Sequence, residues 1–202
     1  QIAAICKAHE IMVISDEPYE HILFDGNEHV SIGSLEGMKD LTVSIYTLSK
    51  SYAMTGWRVG YVVANKAIIA EMEKLMEHMV SGVTAVAQRA ALAAITDSQD
   101  CVKQMVERYA KRRELMYNGL NNIKGISCIK PESTFYAFPN ISSFGMSSWD
   151  FAKHMVKEHK LALLPGSIFG ENGEGFARLS FATSSRNIET ALEKLEKGIA
   201  GI

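Results

Sequence analysis

The stretch Thr47-Leu48-Ser49-Lys50-Ser51-Tyr52-Ala53-Met54-Thr55-Gly56-Trp57-Arg58-Val59-Gly60 joins two apolar runs and concentrates reactive side chains between them. Ahead of it, Thr42-Val43-Ser44-Ile45-Tyr46-Thr47-Leu48 is rich in β-branched residues and reads as a strand. Behind it, Arg58-Val59-Gly60-Tyr61-Val62-Val63-Ala64 reads as another. Two hydroxyls and a lysine therefore follow a buried strand, at the end where side chains of an open α/β sheet project into a ligand crevice. Partial desolvation at such a place favours the neutral amine that nucleophilic chemistry needs. The arginine stays charged and offers a donor fork suited to phosphate. Taken singly, each residue has an ordinary reading: a surface lysine, and an arginine in a salt bridge or at a helix end.

Working outward, Ile11-Met12-Val13-Ile14-Ser15 is a short continuous apolar run, the pattern of a strand buried on both faces of a parallel sheet, and it ends at Asp16. Helical patterns cover roughly 66–79 and 83–96, and a long charged amphipathic helix runs from Ser98 to Asn122. The texture then changes. Short strands are expected near 127–130, 134–138, 161–164 and 177–181, interleaved with helices near 149–159 and 186–199. The layout is α/β in two parts, 1–97 and 98–202, joined by a helix.

The 202 residues are 47% hydrophobic and 22% charged, an ordinary globular make-up. A formal net charge of −2 lacks the basic footprint that nucleic acid or an anionic membrane surface attracts, so neither is expected as a partner. Cys6, Cys101 and Cys128 are odd in number and far apart, which fits reduced thiols of a cytoplasmic protein better than a disulfide framework or a zinc site. No apolar run reaches the roughly 18 residues of a membrane span, and no leader pattern is present. Gln1 to His9 reads as the last turns of an amphipathic helix with no initiator methionine before it, and the expectation is a fragment of a longer protein.

Thr-Leu-Ser-Lys followed by Met-Thr-Gly-Trp-Arg-Val-Gly resembles the lysine motif of class I and II pyridoxal-phosphate (PLP) aminotransferases, with Lys50 and Arg58 at the family's eight-residue separation. The resemblance covers nearly the whole chain. It implies the C-terminal part of the fold type I large domain, a mostly parallel sheet with helices, over 1–97, followed by a smaller α+β C-terminal domain over 98–202. It implies that Lys50 forms the Schiff base with pyridoxal 5′-phosphate, and that Thr47, Ser49 and Arg58 anchor the phosphate. Ser15-Asp16-Glu17-Pro18-Tyr19 is similar to the segment whose Asp contacts the pyridine nitrogen and whose Tyr contacts the phenolic oxygen, roles that fall to Asp16 and Tyr19. An ionised Asp16 would keep the ring nitrogen protonated and strengthen the ring as an electron sink.

Ala177-Arg178-Leu179-Ser180-Phe181 resembles the strand whose arginine holds the substrate α-carboxylate, which makes Arg178 the clamp. On its own strand Arg178 reads as a cross-strand ion pair. Leu164 to Gly170 and Thr134 to Phe138 also match family segments, with Ser133 where relatives commonly carry glycine. The implied reaction is transfer of an amino group between an L-amino acid and a 2-oxo acid, by a homodimer. A PLP-dependent carbon–sulfur lyase and a PLP-sensing domain of a transcriptional regulator share the fold; Tyr19, where lyases tend to carry His, favours transamination. The cofactor contacts that the family places in earlier sequence are absent, so the expectation is that this chain alone is inactive.

The rest reads as background. Gly170-Glu171-Asn172-Gly173-Glu174-Gly175 is expected to be a surface loop, since its glutamates would repel phosphate. The histidines show no metal-ligand spacing, so no metal site is expected, and Met72, Met76 and Met79 are expected to pack in a core.

Overall fold

The computed structural model describes residues 1–201 and divides into two compact units, Gln1–Gln104 and Met105 onward. The first unit is built on helix α1 (Ile2–Ala8), strands β1 (Val13–Asp16) and β2 (Thr42–Thr47), the single-turn helix α2 (Leu48–Ser51), strand β3 (Gly60–Val63) and helices α3 (Lys66–Val80) and α4 (Ala85–Thr96). Helix α5 (Asp100–Asn122) runs through the division between the units. The second unit continues with β4 (Tyr136–Ala137), α6 (Ser148–His159), β5 (Leu164–Pro165), β6 (Ala177–Ser180) and α7 (Ser185–Ile199).

In the first unit the sheet order is β1-β2-β3, with β1 parallel and β3 antiparallel to β2. Side-chain alternation places Ile14, Asp16, Ile45 and Thr47 on one face, and Ser15, Ser44, Tyr46 and Tyr61 on the other. Strand β1 is not buried on both faces as its apolar run predicts, for Ile14 is 74% exposed. No element among the described residues covers that side chain, so a run suited to burial lies open. The methionines of α3 differ from expectation for the same reason. That helix has no buried residue, and Met72, Met76 and Met79 border an open apolar groove with Tyr61 and Val62.

The second unit packs around Phe151, Met155, Phe181, Ile188 and Leu195, all almost fully buried. Its small sheet has the order β4-β6-β5, antiparallel throughout. The strand expected near 127–130 is reduced to a bridge between Ser127 and Asn140. Asn121 at the end of α5 takes both backbone groups of Cys128, its Nδ2 donating to the carbonyl at 3.1 Å and its Oδ1 accepting from the amide at 3.0 Å. Those groups are the ones a strand ladder would have used. The glycine-rich segment has more than a loop's role, because the Glu174 carboxylate accepts from the Ser148 amide at 2.6 Å and from its hydroxyl at 2.8 Å at the start of α6. Gly166 and Gly173 approach so closely that a Cβ on either would strike the other's carbonyl oxygen. Cys6 and Cys128 are buried, Cys101 is exposed, and all three are free thiols.

Candidate active site

Strand pairing collects three of the expected site residues on one edge. Asp16 pairs with Ile45 on the parallel strand, and Thr47 pairs with Gly60 on the antiparallel one. The carboxyl ends of β1 and β2 and the amino end of β3 therefore share an edge, with Asp16, Thr47 and Arg58 along it. Gly60 is required at this crossing, since a Cβ there would collide with the carbonyl oxygen of Tyr46.

Thr47 turns the chain from strand to helix. Its backbone is extended, and its Oγ1 accepts from the Ser49 amide at 3.2 Å, the N-cap arrangement that starts α2. Leu48 and Ser51 are buried on the inner side of that turn, with Leu48 packed against Met54 and Ala91. This anchoring leaves Ser49 and Lys50 half-buried on the other side. Arg58 has a left-handed backbone, φ 52° and ψ 50°, which costs a non-glycine residue about 1 kcal/mol or more. Its Nη1 donates to the Thr55 carbonyl at 2.9 Å, and the guanidinium is otherwise exposed.

Asp16 is the exposed last residue of β1, and among the described residues its carboxylate makes neither a hydrogen bond nor an ion pair. It caps no helix. Tyr19 is half-buried in a turn closed by the Ile22 amide donating to its carbonyl at 2.9 Å. Between them lies Glu17, which the residue pattern alone does not single out. It is 5% exposed, and its carboxylate oxygens accept from His29 Nε2 at 2.6 Å and from the Ser31 hydroxyl at 2.8 Å. Burial pushes the Glu17 carboxyl up, but the hydrogen bonds from His29, Ser31, Ser15 and Ser44 outweigh it and hold the group below its ordinary value of 4.5. Glu20 behaves in the opposite way, raised above 4.5 by burial, with one carboxylate oxygen lacking a hydrogen-bond partner. One sequence signal for Glu17 exists: it continues the Val13–Ser15 alternation onto the inner face, where an unpaired carboxylate is costly and a partner is required.

Arg178 lies on β6 in the second unit, paired in register with Leu164. The cross-strand ion pair expected of an ordinary strand arginine is not its arrangement. Among the described residues it makes no salt bridge. Its guanidinium carbon instead lies over two rings, 4.3 Å from the centre of Tyr136 and 4.5 Å from that of Phe169. Among the described residues its N–H groups make no hydrogen bond, so the donor fork is available to a planar anion. Phe135 is buried against Tyr109 and Tyr136 and serves the core of the second unit. The backbone strain at this segment falls on Thr134, with φ 67°, and its Oγ1 accepts from the Tyr136 amide at 3.2 Å. Ser133 therefore replaces glycine without needing a left-handed conformation itself.

The donor set suits a phosphorylated pyridine aldehyde: an unengaged carboxylate for a ring N–H, a tyrosine for a phenolic oxygen, hydroxyls and a guanidinium for phosphate, and a lysine for the aldehyde carbon. Among the described residues no three of His, Cys, Asp and Glu gather as a metal-binding group, and no helix is long and apolar enough to cross a membrane.

The sheet edge with its lysine turn and left-handed arginine is accompanied by a family match over most of the chain. The family model described as "Aminotransferase class I and II" matches residues 1–195. An aspartate aminotransferase of Pyrococcus abyssi is 40% identical over 199 residues, 98% of this chain and 51% of that protein. Aromatic-amino-acid aminotransferase 2 of Thermococcus litoralis is 38% identical over 199 residues, again 98% of this chain and 51% of that protein. In structure, the aromatic aminotransferase of Pyrococcus horikoshii OT3 superposes with a TM-score of 0.95 at 39% identity, over 99% of this chain and 54% of that one. The chain belongs to the class I and II aminotransferase family, and its architecture is the C-terminal part of the family's fold type I. It spans about half the length of the curated relatives it matches.

Proposed function

We propose that this chain carries the lysine half of a pyridoxal 5′-phosphate-dependent aminotransferase that moves an amino group between an L-amino acid and a 2-oxo acid, acting in the cytoplasm as a homodimer. The observation that carries this reading is the shared sheet edge of Asp16, Thr47 and Arg58, with Lys50 on the turn that Thr47 caps. The cofactor, when bound, supplies an electron sink conjugated to the substrate α-carbon. Asp16 holds a proton at the ring nitrogen, and the Tyr19 hydroxyl donates to the phenolic oxygen. Arg58, Thr47 and Ser49 bind the phosphate. Lys50 would hold the cofactor through Nζ at rest and, once the substrate amine has taken its place, its freed amine would be the base for the proton on the substrate α-carbon. Arg178 orients the substrate through its α-carboxylate, with the rings of Tyr136 and Phe169 beside the guanidinium.

The relatives act on different amino acids by name, aspartate in one case and aromatic amino acids in another, so the common chemistry is the amino transfer itself. Arg178 reads only the carboxylate that all such substrates share. By itself the 202-residue chain turns over slowly or not at all, a reading supported by its coverage of about half of each relative and by the open side of its first sheet.

The test is a donor screen on the intact gene product, following conversion of the PLP absorbance to that of the pyridoxamine form. Conversion with an amino acid donor is expected, with Lys50→Ala lowering the rate by roughly 10²–10⁴-fold or more. Release of pyruvate and ammonia in place of conversion would overturn the aminotransferase reading. Full transaminase activity from the 202-residue chain alone would overturn the proposed dependence on further sequence.

A further inference from the structure

Asp16 faces the open side of the sheet with no partner among the described residues, so its direction is set by the backbone that carries it. The next residue is held at three points. The Glu17 amide donates to the Ile45 carbonyl at 2.9 Å, extending the β1–β2 ladder by one residue. Its two carboxylate oxygens accept from His29 and Ser31, residues that return beneath the sheet after the Tyr19 turn. At 2.6 Å from an ionised carboxylate, His29 Nε2 is the donor. Ser31 also lies 3.4 Å from the Ser44 hydroxyl and accepts from the Tyr46 hydroxyl at 3.3 Å, and the Tyr46 ring stacks on Tyr61 at 4.9 Å. These groups join the 25–31 loop to β2 and β3 on the face opposite Asp16. Separating them would leave a buried carboxylate without partners, which is strongly disfavoured.

We propose that Glu17 is a positioning residue: the His29–Glu17–Ser31 cluster behind the sheet is a latch that fixes the Asp16–Tyr19 segment in front of it. The latch rests on the proposed roles of Asp16 and Tyr19 toward the cofactor, although the ordering of the segment is a property of this chain alone. Alternation puts Asp16 and Glu17 on opposite faces, so immobilising Glu17 from behind aims Asp16 forward without touching it. The same clamp holds the base of the turn that carries Tyr19.

Hydrogen exchange on the 202-residue chain tests the ordering, read at the Glu17 and Ile22 amides, which bond Ile45 and Tyr19. Loss of a charge-assisted hydrogen bond in Glu17→Gln or His29→Ala is expected to speed exchange at these two amides about tenfold, with α7 amides unchanged. His29→Gln, which restores a donor, is expected to recover most of the protection. Unchanged exchange in both variants, or a uniform rise across the chain, overturns the latch. Should Glu17→Gln lose its fold, His29→Ala and Ser31→Ala decide the question from the loop side.

A second arm measures the PLP dissociation constant of the intact gene product, where His29→Ala is expected to weaken binding about tenfold and His29→Gln to recover it. Lys50-dependent PLP absorbance with no effect of His29→Ala on exchange or binding leaves the cofactor reading standing and removes the latch. Local loosening in a protein that shows no Lys50-dependent absorbance removes the cofactor reading, and with it the positioning role.

Discussion

The two units bury their apolar residues to very different degrees. The second closes on itself, with Phe151, Met155, Phe181 and Ile188 wholly buried and α7 laid against them through one strongly apolar face. The first buries Ile22, Phe24, Met38 and Leu48, yet leaves Ile14 and Val63 on its sheet and Leu75, Met79 and Val80 on α3 largely exposed. Helix α3 has capped ends and amphipathic order, but only Ile68, Ile69 and Met72 of its apolar stripe are partly covered, and the stripe's later part, Leu75, Met79 and Val80, stays exposed. The difference teaches that local structure in the first unit is specified by strand pairing and capping, while its packing is only half satisfied. The candidate cofactor edge lies in that half-satisfied unit, and the candidate substrate arginine in the complete one.

The chain has two tryptophans, Trp57 in the first unit and Trp149 in the second, so each unit can be followed by its own emission after the other is replaced by Phe. Phe151→Ala should give the largest effect, lowering the stability of the second unit by about 3–5 kcal/mol in urea titrations read by Trp149, with the Trp57 transition little moved. An equal shift in both transitions would show that the units unfold together and break the comparison.

Acid should act on the first unit through Glu17. Its folded carboxyl is held below 4.5, so its contribution is complete above the ordinary value and is lost as pH falls through the lowered one. The Trp57 transition should therefore weaken as pH drops below about 4.5, and Glu17→Gln should flatten that slope. Glu20 contributes with the opposite sign, since burial raises its carboxyl and ionisation is penalised at neutral pH. Glu20→Gln should accordingly raise the midpoint of the first unit at about pH 7, and a lowered midpoint would refute the burial penalty.

Smaller effects sharpen the contrast between local order and packing. Thr84→Ala removes the side chain that accepts from the Ala87 amide at 3.4 Å at the start of α4, and should cost the first unit about 1 kcal/mol. Met79→Ser on the 78% exposed side chain should change stability by less than about 0.5 kcal/mol while slowing self-association in light scattering. A loss comparable to that of Phe151→Ala would mean that α3 is packed after all.

Much of the fold is legible in residue patterns alone. Helices α3 to α7 and the three strands of the first unit lie within a few residues of where periodicity and β-branching put them. The lysine turn is readable from residue types at fixed spacing. Other features are not. The 127–130 run has strand composition, but Asn121 captures the backbone groups of Cys128, a side-chain contact that no local pattern encodes. Glu17 and His29 are 12 residues apart with no helical or strand period linking them, so their pairing emerges only when the loop after Tyr19 folds back. The rings around Arg178 come from Tyr136 and Phe169 on separate elements.

By itself the sequence determined the family, the strand–turn–helix around Lys50 and the identity of the charged groups, because these depend on local propensity and on residue types at short spacing. Only the tertiary structure decided which of those groups share an edge, which carboxylate is latched and which is left unengaged, and which apolar runs are buried. Pairing register and burial are set by contacts between residues distant in the chain, and the same apolar run is core or surface according to what packs against it.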